Sequence, residues 1–221
     1  GVTSGFNGRS YYVEILGSCS GAFNSSTATL TVNEKPEITA QPVSSTICQG
    51  AGTSFSVNAG VTTGATYQWQ VSTNGGVTFG NLTDDALYSG SATATLSLTN
   101  TPLGNNGYHY RVNVSGTCSP GVTSNAAVLT VNQTASITTQ PVAATACEDG
   151  TVQFTVATTG TGVTYQWYES PSTLLSNTGV YSGTTTNTLT LTGVTSGFNG
   201  RSYYVEILGS CSGAFNSSTA T

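Results

Sequence analysis

The first 29 residues, GVTSGFNGRSYYVEILGSCSGAFNSSTAT, recur without a single change at 193–221, an offset of 192 residues. Such self-similarity restricts the fold before any residue is read singly, because each repeat must be a unit that packs by itself or on its neighbours. A looser repeat lies inside that period. ITAQPVSSTICQG (38–50) matches ITTQPVAATACEDG (137–150), TYQWQ (66–70) matches TYQWY (164–168), and NGYHYRV (106–112) matches NGRSYYV (199–205). Two related domains of about 99 and 93 residues are therefore expected to alternate, a normal size for a domain. The first domain is predicted over residues 34–132 and the second over 133–221, its last strand truncated. Residues 1–33 are predicted to be the C-terminal strands, F and G, of a preceding copy of the second domain. A lone hairpin such as 8–32 is marginal in water. The chain thus reads as a window onto a longer array, with any export signal expected outside it.

Only 6% of residues are charged. Disorder usually accompanies high charge and few aromatics, whereas here Tyr, Trp, Phe, Val, Ile and Leu are spread along the whole chain. Thr, Ser, Asn and Gly fill the gaps. β-branched and aromatic residues fit a pleated, half-buried surface, and Gly and Asn make turns, so an all-β fold is expected. Four basic residues, Arg9, Lys35, Arg111 and Arg201, against a net charge of -5 cannot form a stripe that tracks phosphates. Nucleic acid is not an expected partner. No apolar run approaches the roughly 18 residues of a membrane-spanning helix.

Alternation and turn punctuation predict strand A near 37–46, B at 52–59, C at 65–72, C′ near 77–82, E at 92–98, F at 107–115 and G at 123–131. The second domain follows the same order. Seven short strands separated by turns suggest a β-sandwich. Trp69 and Trp167 lie in strand C, 14 and 13 residues after Phe55 and Phe154 in strand B. Tyr110 and Tyr203 precede Val112 and Val205 of strand F by two residues, the place of a tyrosine-corner Tyr. These six aromatic residues are the predicted core markers of tandem immunoglobulin-like β-sandwich domains in an extended array. Phe and Val stand where antibody domains carry their core Cys pair.

With ITxQP, CxG or CEDG before strand B, YQW, YSG, NGY and GTC…SNAAVLTVN, essentially the whole chain resembles the immunoglobulin-like repeats of giant secreted cell-surface adhesins and filament proteins of Bacteroidota. That resemblance implies type IX secretion and, in some members, gliding. It places the protein outside the cell, at a bacterial surface.

Five cysteines look odd for an exported protein until the repeat is applied. Cys48, Cys118, Cys147 and Cys211 make four per period, and Cys19 is the earlier copy of Cys211. An even count per unit, with no Cys-x-x-Cys, favours disulfides over zinc. One bridge per domain would pair Cys48 with Cys118 and Cys147 with Cys211. However, Cys48 lies seven residues before Phe55 and Cys118 six residues after Val112, and strands B and F run the same way. At about 3.3 Å per residue the two would lie more than about 20 Å apart, and a disulfide needs Cα atoms within about 7 Å. In a head-to-tail array the loop before strand B meets the F–G loop of the next domain. The favoured pair is therefore an interdomain Cys48–Cys211 bond, with Cys19, Cys118 and Cys147 paired outside this chain. It would close a loop of 163 residues and contribute roughly 5 kcal/mol in the chain-entropy description.

No nucleophile, base or paired-carboxylate pattern of an enzyme is visible. The one histidine, His109, fits a strand surface better than a ligand role. Asp84-Asp85 and Glu148-Asp149 could bind Ca²⁺, although solvated turns are the plainer reading. Lys35, in a linker, cannot drive a buried isopeptide bond. Phe79, Tyr88, Tyr168 and Tyr181 could stack on sugars if exposed, and more simply fill sandwich edges. Linkers of about five residues, one with Pro36, bend little, and each domain would add about 40 Å of length. The expected function is the structural shaft of an extracellular filament whose partners are its own adjacent repeats. The alternatives are an adhesin repeat that binds carbohydrate, protein or other cells, and a spacer in a secreted multidomain enzyme.

Overall fold

The computed structural model describes the backbone of Gly1–Thr221 and every side chain but that of Ser20. By spatial contacts the chain divides into two units. The first comprises Gly1–Ser45, Gly52–Thr99 and Gly107–Leu129, and the second Thr46–Ala51, Asn100–Asn106 and Thr130–Thr221.

At the start of the first unit, β1 (Ser10–Tyr11) pairs with β4 (Ala28–Thr29), and β2 (Glu14–Gly17) with β3 (Ser20–Asn24). A sandwich follows. One sheet takes β5 (Ser45–Cys48), β7 (Thr66–Ser72), β8 (Gly80–Asn81), β11 (His109–Ser115) and β13 (Ala127–Asn132) in the order β5-β13-β11-β7-β8, with the short β12 (Val122–Thr123) on β11. The other takes β6 (Thr53–Ser56), β9 (Tyr88–Ser89) and β10 (Thr95–Leu98) in the order β6-β10-β9. Alternation makes these strands two-faced. Along β11, Tyr110, Val112 and Val114 are buried while their neighbours are partly exposed, and Leu96 and Leu98 do the same on β10. Phe55 of β6 stacks on Tyr110 of β11 with ring centres 4.9 Å apart, which marks the interior between the sheets.

The second unit repeats the plan. β15 (Thr151–Thr155), β20 (Thr188–Thr192) and β19 (Tyr181–Ser182) form one sheet in the order β15-β20-β19. β18 (Thr173–Leu174), β17 (Thr164–Glu169), β21 (Tyr203–Gly209) and β22 (Ser212–Asn216) form the other, in that order. β14 (Ser136–Thr139) pairs with β16 (Ala157–Thr159). Phe154, Val156, Trp167, Leu189, Leu191, Val205 and Ile207 form a buried cluster between the two larger sheets. The YSG signature of both copies is a turn into strand E. Gly90 and Gly183 hold φ of 80° and 72°, a left-handed conformation that costs glycine nothing.

Two strand expectations need correction. Strand A does not run unbroken over 37–46. Ala40 bridges to Asn58, whereas β5 joins the opposite sheet beside β13. Pro42 lies between the two pairings and has no N–H for a ladder. Tyr88–Ser89 is a strand that the seven-strand reading omitted. The contact division groups two short segments with residues 130–221. Thr46–Ala51 and Asn100–Asn106 go with the second unit and are tied to each other by Gly50 N–H to Thr101 O (2.8 Å) and Thr101 N–H to Ala51 O (3.1 Å).

Candidate functional site

The chemistry of this chain is concentrated in its cysteines. Cys48 ends β5, and Gln49 beside it donates its N–H to Asn132 O at 2.9 Å. Cys211 occupies the turn between β21 and β22, a hairpin with a register shift at Ile207/Gly209. The two are joined in a disulfide with Cα atoms 5.5 Å apart and 163 residues between them in sequence. Both ends belong to the second unit as the contacts define it. Cys211 is thereby taken, so neither Cys48–Cys118 nor Cys147–Cys211 forms. Cys19 and Cys147 are free and exposed. Cys118 is free and half-buried, with its thiol 3.5 Å from the Asn33 carbonyl.

The six marker aromatics lie where a sandwich core needs them. Trp69 and Trp167 are fully buried, and each indole N–H donates to a turn carbonyl 2.9 Å away, Thr93 and Thr186 respectively. A buried indole without such an acceptor would be costly. The hydroxyls of Tyr88 and Tyr110 lie 3.2 Å apart, and those of Tyr181 and Tyr203 3.4 Å apart. Burial, with the Tyr181 hydroxyl second, pushes the Tyr203 phenol far above its ordinary 10.0. Tyr203 is therefore neutral at every physiological pH.

The aromatics considered for sugar stacking are divided by the structure. Tyr88 is buried. Tyr181 is half-buried and donates to Glu169 Oε2 at 3.1 Å. Phe79 lies under the Arg111 guanidinium at 3.8 Å, and Arg111 Nε in turn reaches Gln70 Oε1 at 2.8 Å. Tyr168 stacks nearly parallel on Tyr204, 5.3 Å between ring centres. Sequence reasoning missed Tyr204 as the partner. Its signal is the β17–β21 register, which sets Tyr168 opposite Tyr204.

The first acidic pair holds a turn. Asp84 accepts N–H bonds from Ser91 (2.7 Å) and Gly90 (3.1 Å), and Asp85 from Leu87 and Tyr88, both at 2.7 Å. Hydrogen bonds from Ser91 and Gly90 hold the Asp84 carboxyl below its ordinary 3.8. Glu148 and Asp149 are exposed on the loop before β15. Among the described residues, no three His, Cys, Asp or Glu side chains gather as a metal site. His109 is half-buried, its Nδ1 3.0 Å from Gly107 O. Lys35 is exposed, and no described helix is long and apolar enough to cross a membrane.

One concavity of about 660 Å³ lies in the second unit. It is lined by Ala146, Phe154, Leu191 and Phe198 and rimmed by Asn199, Gly200 and Arg201. The Arg201 guanidinium sits 4.5 Å over the Phe198 ring and pairs with Glu169 at 3.3 Å.

Residues 38–133 match a family model described as "Domain of unknown function (DUF8696)". No curated protein sequence matches the chain. Among solved structures it is similar to the I-band fragment I67-I69 from titin, with a TM-score of 0.65 at 16% identity over 86% of this chain and 65% of that one. It is also similar to extracellular domains 3-5 of Drosophila OTK (TM-score 0.57, 20% identity, 94% of this chain and 67% of that one). Sidekick-1 immunoglobulin domains 1-4 give a TM-score of 0.64 at 18% identity, with 99% of this chain and 59% of that one covered. The chain thus spans about two thirds or less of the length of these multi-domain relatives. At such identities the likeness establishes the fold, which is an array of immunoglobulin-like β-sandwiches.

Proposed function

We propose that this immunoglobulin-like array is a structural repeat of an extracellular cell-surface filament or adhesin, acts as its shaft, and catalyses no reaction. The observation that carries this reading is the Cys48–Cys211 disulfide, a bond from the end of β5, ahead of β6, to the β21–β22 turn. Disulfides persist in oxidising, extracellular settings. A bond that closes 163 residues of sequence suits a chain that must stay assembled under load. The unchanged 29-residue repeat supports the same reading, because it extends the pattern to further copies. The resemblance to Bacteroidota surface repeats adds type IX secretion and a bacterial surface to the proposal. Electron microscopy of the intact parent protein tests it. Thin extended particles at the cell surface, lost when type IX secretion is blocked, are expected. Compact particles, or retention of the protein in the cytoplasm, would overturn the reading.

A second reading has one observation in its favour. The Tyr168–Tyr204 stack is half-exposed, and aromatic faces of that kind are natural platforms for sugar rings. An adhesin repeat would then bind glycans on an array and lose that binding in Tyr168→Ala. Undiminished binding in the variant would remove the stack from consideration.

A further inference from the structure

The two sandwiches carry different chemistry on the same outer sheet face. Strand alternation turns Trp69, Tyr110 and Val112 inward and leaves Gln70 and Arg111 on the outer face, opposite each other in the β7–β11 register. Asn81 of β8 continues that row beside Gln70. Arg111 is held in place. Its guanidinium lies 3.8 Å over the Phe79 ring, its Nε donates to Gln70 Oε1 at 2.8 Å, and Gln70 Nε2 donates to Asn81 Oδ1 at 2.8 Å. Among the described residues, neither Nη of Arg111 makes a hydrogen bond or an ion pair. A fixed cation with unspent donors therefore stands on an otherwise uncharged, polar row.

By sequence correspondence Tyr168 stands for Gln70, Tyr204 for Arg111 and Glu206 for Asn113. The equivalent row on the second sandwich reads Leu174, Tyr168, Tyr204 across β18, β17 and β21. The two rings stack 5.3 Å apart, and Leu174 and Leu208 on the same face are exposed. Glu206 lies one row further on, opposite Gln166 and diagonal to Tyr168. Partial burial, with the Glu206 carboxylate second, pushes the Tyr168 phenol above its ordinary 10.0. Among the described residues, no hydrogen bond or ion pair engages that carboxylate. Aromatic rings beside an unpaired carboxylate attract a guanidinium, which stacks on ring faces and keeps its donors for the acid.

We infer that the face formed by Tyr168, Tyr204 and Glu206 is a docking surface for a second copy of this chain, and that the group it receives is Arg111 of that copy. Charge complementarity selects the occupant. Arg201 is already paired with Glu169, and Arg9 and Lys35 lie outside the strands. Arg111 alone among the four cations stands on a sheet face, where its Nη donors are unspent. Sheets pack face to face as a matter of course. The contact is heterologous, first sandwich to second. It also gives the alternation of two unlike domains a physical reason. Were every domain to carry the first face, Arg111 would meet Arg111. Were every domain to carry the second, Glu206 would meet Glu206. Like charges so placed repel. Repetition of the pair along an array multiplies a weak contact. The inference concerns contact between chains and does not depend on the shaft reading.

Sedimentation of the full chain at neutral pH and low salt, over a range of concentrations, tests it. The chain carries Cys19→Ser, Cys118→Ser and Cys147→Ser, so that no free thiol can cross-link two copies. Reversible self-association that weakens as salt is raised is expected. Arg111→Glu and Glu206→Arg should each weaken it about tenfold or more. An equimolar mixture of those two variants should associate again, because each supplies the charge that the other's altered face calls for. That recovery also shows that both variants fold. Arg111→Glu makes the chain more acidic and Glu206→Arg less so, so a mere net-charge effect would move the two variants in opposite directions. A parent chain that stays monomeric, opposite shifts in the two variants, or no association in their mixture would each overturn the inference. Self-association unchanged in Tyr168→Ala, with glycan binding lost, would overturn it too and assign the rings to sugar.

Discussion

Residues 1–29 and 193–221 have one sequence and two environments. Their local geometry agrees in detail. Ser4–Phe6 and Ser196–Phe198 are both single 3₁₀ turns, and Arg9 and Arg201 sit 4.5 Å over Phe6 and Phe198. Val13 and Val205 both donate N–H to a serine hydroxyl at 3.0 Å, that of Ser25 or Ser217. What differs is everything that needs a partner. In the second copy Tyr203–Gly209 is one unbroken strand paired along its length with β17, and Tyr203, Val205 and Ile207 are buried. In the first copy the strand breaks at Tyr12 and Val13, and Ile15 is 57% exposed. Local sequence sets turns, caps and hairpin register. Strand continuity and burial come from the sheet across the way.

That contrast is open to measurement by making the same substitution at both copies. The largest effect is expected at the cysteine. Cys211→Ser removes the bond to Cys48 and should lower the stability of the second unit by about 4–5 kcal/mol, from the entropy of the opened loop. Cys19→Ser should leave it unchanged. Urea unfolding followed by Trp167 fluorescence under non-oxidising conditions reads both. Next, Ile207→Ala deletes a fully buried side chain and should cost about 3 kcal/mol through lost transfer energy and the cavity left behind. Ile15→Ala should fall within about 0.5 kcal/mol of the parent. Equal costs at the two positions would mean that residues 1–29 bury their apolar face in solution. A smaller effect is expected at the serines. Ser217 is buried and also donates to Ser218 O at 2.8 Å. Its replacement by Ala strands the Val205 N–H and should cost about 1–2 kcal/mol. Ser25→Ala exposes the same N–H to water and should cost less than about 0.5 kcal/mol, the difference being visible as faster amide exchange at Val205 only.

The sandwich was legible because period-2 alternation is unambiguous in segments such as HYRVNVS, where Tyr110, Val112 and Val114 face one way. The Cys48–Cys211 pair was legible because spacing from core positions converts to distance along strands of known rise. Other features were not. The switch of strand A between sheets depends on where Pro42 falls relative to two ladders, and alternation alone reports neither ladder. The Tyr88–Ser89 strand is two residues long, too short to show a period. The stacking of Phe79 under Arg111 follows from the β7–β8 and β7–β11 registers, which no local window contains. The acidic pair at 84–85 was read as a solvated turn or a cation site. Its actual bonds were foreshadowed by a signal in the repeat, because Asp84 lies seven residues before Ser91 as Asn177 lies before Thr184. A side-chain oxygen at that spacing in both copies marks a turn held by its own side chain.

That last correspondence gives the smallest and most selective comparison. Asn177 Oδ1 accepts the Thr184 N–H at 3.0 Å, the bond that Asp84 makes with Ser91. Only one of the two oxygens titrates. The Asp84 carboxyl is held below its ordinary 3.8 by hydrogen bonds from Ser91 and Gly90, so its charged form is favoured in the fold. The stabilisation is fully present above the unfolded value and is lost as pH falls through the depressed folded value, that is, below 3.8. Acid should therefore loosen the turn into β10 in the first unit and leave its counterpart before β20 in the second unaffected by this route. Amide exchange at Ser91 and Thr184, followed as the pH is lowered, separates the two. Asp84→Asn should make the first turn as indifferent to acid as the second, because the amide offers the same oxygen without a proton to take up. Acid loosening of both turns alike, or persistence of the Ser91 effect in the variant, would place the acid sensitivity elsewhere in the sandwich.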